Sequence, residues 1–126
     1  MPNEGQIESL PVSAAVTAYH CVAASGDGTI ATCADADTPT IGISTGAQAT
    51  VGGACSFAVG GMPLVEYGGT ITAGEQLAAT TGGKVIKATT DNKWSVGVAA
   101  YSGVSGDIKR IHFIPHQTAD VSAVTA

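Results

Sequence analysis

Residues 16–44, VTAYHCVAASGDGTIATCADADTPTIGIS, lie without a gap over residues 71–99, ITAGEQLAATTGGKVIKATTDNKWSVGVA, when the chain is shifted by 55 positions. The identical pairs are Thr17/Thr72, Ala18/Ala73, Ala23/Ala78, Ala24/Ala79, Gly28/Gly83 and Gly42/Gly97. Apolar positions agree as well: Val16/Ile71, Val22/Leu77, Ile30/Val85, Ile41/Val96 and Ile43/Val98. After one deletion the match resumes with Gly52/Gly106, Phe57/Ile111 and Val59/Phe113. Two half-repeats, about 16–62 and 71–115, therefore share one order of turns and strands. A half of this length cannot bury both faces of its strands alone, so the copies must close on each other. An approximate internal twofold is the expected arrangement.

The repeated unit is β. Glycine falls in turn contexts such as Gly26-Asp27-Gly28, Gly52-Gly53 and Gly82-Gly83, with short β-leaning runs between them. These runs predict strands over 29–33, 40–44, 55–59, 63–67, 84–88, 94–100 and 108–114. Ile111 and Phe113 alternate with Arg110 and His112, the period of a half-buried strand, and Cys55, Phe57 and Val59 share a face. Trp94, Val96 and Val98 form the strongest apolar stripe. Gly42 and Gly97, inside matched strands, suggest a bulge or a close backbone approach where the sheets cross. The class is all-β: a small barrel or sandwich of two similar halves over residues 15–115. An extended N-terminal arm, 1–14, precedes it, and a small polar tail, 116–126, follows.

The side chains offer little chemistry. Hydrophobic residues make up 44% of the chain, but many are alanine, and only 12% are charged, so the core is thin and association should add stability. Net charge is −5 and only Lys109-Arg110 pairs two cations, which argues against nucleic-acid binding. No apolar run reaches the length of a membrane helix, and the N-terminus lacks the signal-peptide pattern, so a soluble protein made in the cytosol is expected. Cys21, Cys33 and Cys55 have no metal spacing and read as small buried residues. Pro115 separates His112 from His116, and His20 and Cys21 should point to opposite faces of a strand. Asp35-Ala36-Asp37 lacks the ligand series of a calcium loop. No catalytic, metal or cofactor site is expected. A biotinyl or lipoyl carrier is the alternative suggested by ITAGEQL followed by GGKV, with Lys84 or Lys93 as acceptor, although neither stands in the usual motif.

The second half also resembles the capsid decoration, or capsid cement, proteins of tailed phages. The segments carrying the resemblance are ITAGEQL at 71–77, GKVIKA at 83–88, VGVA at 96–99 and GDI at 106–108. IGISTGA and GGACSFAVGGMPLV in the first half are a weaker copy. Lys109-Arg110 departs from the pattern, where an apolar strand is commoner, and this leaves the register there open. The resemblance implies a structural, non-enzymatic protein on the exterior of a virion head. It would be a homotrimer bracing the major capsid protein, after synthesis in the host cytoplasm. It also implies an arm that adds a strand to the capsid lattice, for which Ile7, Leu10, Pro11 and Val12 are the candidates. On this expectation they lie outside the repeat, and deleting 1–12 should leave the fold intact. A tail or fibre component is the remaining alternative.

Overall fold

The computed structural model describes residues 6–35, 39–89 and 94–117, which are built from strands and turns. Among these, the strands are β1 (Ile7–Pro11), β2 (Cys21–Gly26), β3 (Thr29–Thr32), β4 (Gly42–Ser44) and β5 (Ala54–Ala58) in the first half. The second half contains β6 (Leu64–Glu66), β7 (Gln76–Ala79), β8 (Val85–Lys87), β9 (Trp94–Ala99) and β10 (Ile108–Gln117). A short 3-10 turn, Thr81–Gly83, joins β7 to β8. The strands form two five-stranded antiparallel sheets, ordered β1-β5-β4-β2-β3 and β6-β10-β9-β7-β8. The second order is the first with five added to every strand, so the duplication is complete at the level of topology.

The register recurs as well, apart from a shift in β2–β3 of the first sheet and another in β9–β10 of the second. Cys21↔Ile43 and Val22↔Gly42 in the first sheet recur as Gln76↔Val98 and Leu77↔Gly97 in the second. Ile43↔Ala58 recurs as Val98↔His112, one partner moved by 55 and the other by 54. The loop bonds locate the deletion. Val16 N–H donates to Gln48 O as Ile71 N–H does to Gly103 O, at a shift of 55. Gly53 N–H donates to Thr50 O as Asp107 N–H does to Val104 O, at a shift of 54. The first half therefore holds its extra residue between Gln48 and Thr50. Parallel bridges Val12↔Ile30 and Tyr67↔Val85 bring the chain after the first strand of each sheet against the third. Each sheet thus curls towards a small barrel.

These contacts correct the expected arm. β1 is an edge strand paired with β5 from Ile7↔Ala58 to Pro11↔Ala54. Its counterpart is β6, since Leu10↔Cys55 recurs as Val65↔Lys109. Ile7, Leu10 and Val12 correspond to Met62, Val65 and Tyr67 and belong to the repeat. Val12 is 1% exposed and lies in the core of the first half with Val16, Val22, Ile30, Cys55 and Phe57. The last expected strand also runs on to Gln117, and residues 118–126 lie outside those described.

The second core joins the halves. Around Val65, Tyr67, Ile71, Leu77, Val85, Val96, Ile111 and Phe113 it gathers Cys21, Ala23, Cys33 and Ile43 from the first half. The contact is not twofold. Gly83 packs against the first half, where a Cβ on it would stand 2.6 Å from Thr32 Cγ2 and 2.9 Å from Cys21 O. A Cβ on its counterpart Gly28 would meet nothing within 4 Å. The halves are stacked head to tail: the β7–β8 hairpin end of the second sits on the β2–β3 face of the first.

The stripe through Trp94, Val96 and Val98 is also broken. Val96 and Ala99 join the core, while Trp94 and Val98 are half-buried. The alternation shifts at Gly97, whose φ is +154° and where a Cβ would stand 1.9 Å from His112 O. The close approach expected at this glycine is present, but within one sheet rather than between two.

Candidate functional surface

β1 is the first sheet's outer strand, and its pairing decides what it can offer. Val59 N–H donates to Gln6 O at 3.0 Å and Val12 N–H to Gly53 O at 3.0 Å, so the even-numbered backbone groups face β5. By alternation, Ile7, Ser9 and Pro11 turn theirs outwards. Pro11 therefore costs no ladder bond, and it blunts the edge at that point. Ser13 N–H, further along, is taken by Ile30 O at 2.9 Å. The open edge is thus the short run Ile7 to Ser9, where every residue is exposed. Of the four residues singled out in sequence, Ile7 is exposed, Leu10 and Pro11 are half-buried and Val12 is buried. Ile7, Leu10 and Pro11 lie on β1, and Val12, just beyond its end, fixes that end in the domain.

The seam between halves holds the main electrostatic cluster. Glu66 N–H donates to Tyr19 O at 2.9 Å, while His20 Nε2 lies 2.9 Å from Glu66 Oε1 and Lys84 Nζ 3.3 Å from Glu66 Oε2. The His20 bond, followed by Lys84, holds the Glu66 carboxyl below the usual range. Ser44 anchors the backbone here, accepting from His20 N–H and donating to Thr17 O at 2.6 Å. A mirror of the carboxylate arrangement occurs at Glu75, which accepts from Thr72 N–H and pairs with Lys87 Nζ at 3.1 Å. Lys84, the candidate carrier lysine, stands in this seam rather than on a free hairpin tip, and Lys93 lies outside the described residues.

The remaining polar groups do not converge. Cys21, Cys33 and Cys55 are buried free thiols, and burial pushes all three above the ordinary thiol value, away from the reactive thiolate. His116 accepts from the Gln76 amide at 2.8 Å and donates from Nδ1 to Ile114 O at 2.7 Å, while His112 is exposed on the adjoining turn of the strand. Among the described residues, no group of three or more His, Cys, Asp or Glu could hold a metal. A shallow cleft of about 180 Å³ beside β2 and β3 is lined by Ala24, Ser25, Ala31 and Cys33, and by no charged side chain. That is smaller than the roughly 300–1,000 Å³ of ordinary ligand sites. Asp37 of the Asp35-Ala36-Asp37 sequence is outside the described residues.

What the surface does present is isolated apolar side chains on loops and edges. Val51 is 67% exposed and Val104 55%, each at the tip of the duplicated loop that precedes β5 or β10. Tyr101, Ile108 and Ile114 add to the second half's share. The loop is held rigid from within: Tyr67 donates its hydroxyl to Tyr101 O at 2.7 Å, and Asp107 Oδ2 accepts from Val104 N–H at 3.0 Å. Sequence reasoning missed these tips because single apolar residues in loops carry no period.

No protein-family model matches the chain, and no curated protein does. Among solved structures it is similar to the N base of the head fiber gp8.5 of bacteriophage phi29. The TM-score is 0.66 at 16% identity, over 86% of this chain and 93% of that one. The likeness shows a shared all-β fold that spans both halves.

Proposed function

We propose that this chain is a structural protein of a phage head, bound to the outside of the capsid and acting without catalysis. One observation carries the proposal: the whole two-half body, not a single barrel, has the fold of a head-fibre base. The decoration-protein motifs at 71–77, 83–88, 96–99 and 106–108 point independently to the same location. In this role the major capsid protein is the partner, and the chain braces its lattice as a homotrimer on the virion exterior, after synthesis in the host cytoplasm.

The strand-addition idea survives in altered form. Residues 7–12 cannot leave the domain to join the capsid, because 7–11 pair with β5 and Val12 is part of the core, while residues 1–5 lie outside those described. A capsid segment can instead add to the open edge from Ile7 to Ser9, where outward amides and carbonyls supply the bonds. Ile7 then contacts the partner, while Leu10, Pro11 and Val12 fix the strand. A second reading, the base of a projecting fibre, is favoured by the identity of the structural neighbour itself. The two readings share the docking surface and differ in what stands on top of it.

The test is co-sedimentation with heads assembled without this protein. Saturable binding is expected, and Ser9→Pro, which removes an outward N–H and no ladder bond, should reduce it at least ten-fold while leaving the fold intact. Failure of the wild-type chain to bind any such head contradicts the proposal. Undiminished binding by a folded Ser9→Pro variant removes the strand-addition step.

A further inference from the structure

The head-to-tail stacking of the halves leaves one copy of each contact surface unused. Inside the chain, the hairpin end covers the face that presents His20, Cys21 and Thr32: Gly83 packs on all three, and Lys84 pairs with Glu66, which also holds His20. The first half has the same hairpin end, Asp27, Gly28 and Thr29, and there Asp27 and Gly28 are exposed. The second half has the same receiving face, at Glu75, Gln76 and Lys87, and there Gln76 and Lys87 are exposed. We propose that these two free surfaces bind each other between copies: the β2–β3 hairpin tip of one chain docks on the Glu75–Lys87 face of a second copy.

The substitutions at matched positions favour this pairing. The internal seam sets Thr32 against the Gly82-Gly83 turn, with Thr32 Cγ2 only 2.6 Å from where a Gly83 Cβ would stand. Neither Thr32 nor Gly82 carries charge. At the free surfaces, Thr32 is replaced by Lys87, and Gly82, which is exposed at the turn tip where a Cβ would meet nothing within 4 Å, by Asp27, so the same approach brings opposite charges to neighbouring positions at the rim of the contact. Lys87 is well placed for this, with its side chain 64% exposed and already turned to Glu75. Ile43, buried in the seam, corresponds to Val98, which keeps an apolar side chain at the matching place.

Three internal contacts cannot be repeated. Within the chain Glu66 gives its N–H to Tyr19 O and pairs its carboxylate with His20 and Lys84, but its counterpart is Pro11, which has neither N–H nor carboxylate. The intercopy contact is therefore weaker than the internal one and more dependent on charge. It is heterologous, so each copy uses both surfaces.

Sedimentation velocity of the free protein over a range of concentrations, at low and high salt, tests the contact without any capsid. Wild type should self-associate, less so at high salt. Asp27→Lys and Lys87→Asp should each weaken association at least ten-fold with unchanged circular dichroism, and the double exchange should restore it to within about three-fold. A chain that stays monomeric at all concentrations overturns the proposal, as do single variants that associate like wild type or a folded double variant that fails to recover. Head binding by a monomeric protein would leave the proposed function standing and remove only this contact.

Discussion

Gly97→Ala should be among the most damaging single-methyl changes in the chain, and the structure gives its scale. The added Cβ would stand 1.9 Å from His112 O, whereas ordinary contact begins near 3.4 Å. Relief needs a displacement of about 1.5 Å, close to a third of the roughly 4.8 Å between paired strands. Such a shift breaks the ladder on both sides of the Phe113↔Gly97 pair. Two lost bonds cost about 1 kcal/mol each, and holding alanine at a φ of +154° adds about 1–3 kcal/mol. The sum is about 3–5 kcal/mol, against a total stability of about 5–15 kcal/mol for an ordinary domain. Gly42→Ala is the internal comparison: its Cβ would meet Phe57 Cδ2 at 2.4 Å and Ala58 O at 2.8 Å, so the buried ring and the carbonyl must both give, but by about 1 Å or less and without a positive φ. That change should cost about 1–3 kcal/mol. Gly46→Ala meets nothing within 4 Å and should be neutral or stabilise by up to about 1 kcal/mol. Urea titration followed by the fluorescence of Trp94, the single tryptophan, measures all three. A Gly97→Ala variant within about 1 kcal/mol of wild type, or more stable than Gly42→Ala, would refute the reasoning.

Removing residues 1–12 should unfold the first half, because it deletes β1 and the buried Val12 together; loss of strand signal in circular dichroism and rapid proteolysis are the expected readouts. Cys21, Cys33 and Cys55 should resist a thiol reagent at neutral pH in the native state and react once denaturant is added, which a timed alkylation followed by intact mass checks. Glu66 has a lowered folded pKa, so its share of stability is fully present above its unfolded value near 4.3 and is lost as pH falls through the lower folded value. Glu66→Gln should flatten that part of the acid limb, by less than about 1 kcal/mol because the pair is partly open to water. Urea midpoints at stepped pH between neutral and acid give the comparison.

The sequence carried the duplication because identical turns and apolar positions survive in both copies. It concealed the first strand of each half, since IESLP and MPLVE share no residue at matched positions, although both pair in one register. β2 and β7 were also hard to read, because alanine-rich CVAASG and QLAA have weak strand propensity and are fixed by tertiary pairing. The head-to-tail seam was not legible at all. It depends on which of two equivalent faces is covered, and an alignment treats the copies as the same. The contrast between a packed Gly83 and an open Gly28 is what distinguishes them most plainly. Of the proposed docking residues, Ile7, Leu10 and Pro11 lie on β1, and buried Val12, just beyond its end, ties that strand into the domain. The loop tips at Val51 and Val104 had no periodic signal to reveal them.

Cryo-electron microscopy of heads assembled without this protein and then saturated with it tests the proposed head-structural role most directly. Expected is two-barrel density on the outer surface, repeated in register with the capsid lattice, with the Ile7 to Ser9 edge against a capsid strand. Heads that remain bare at saturating concentration, or density confined to the tail, would contradict it.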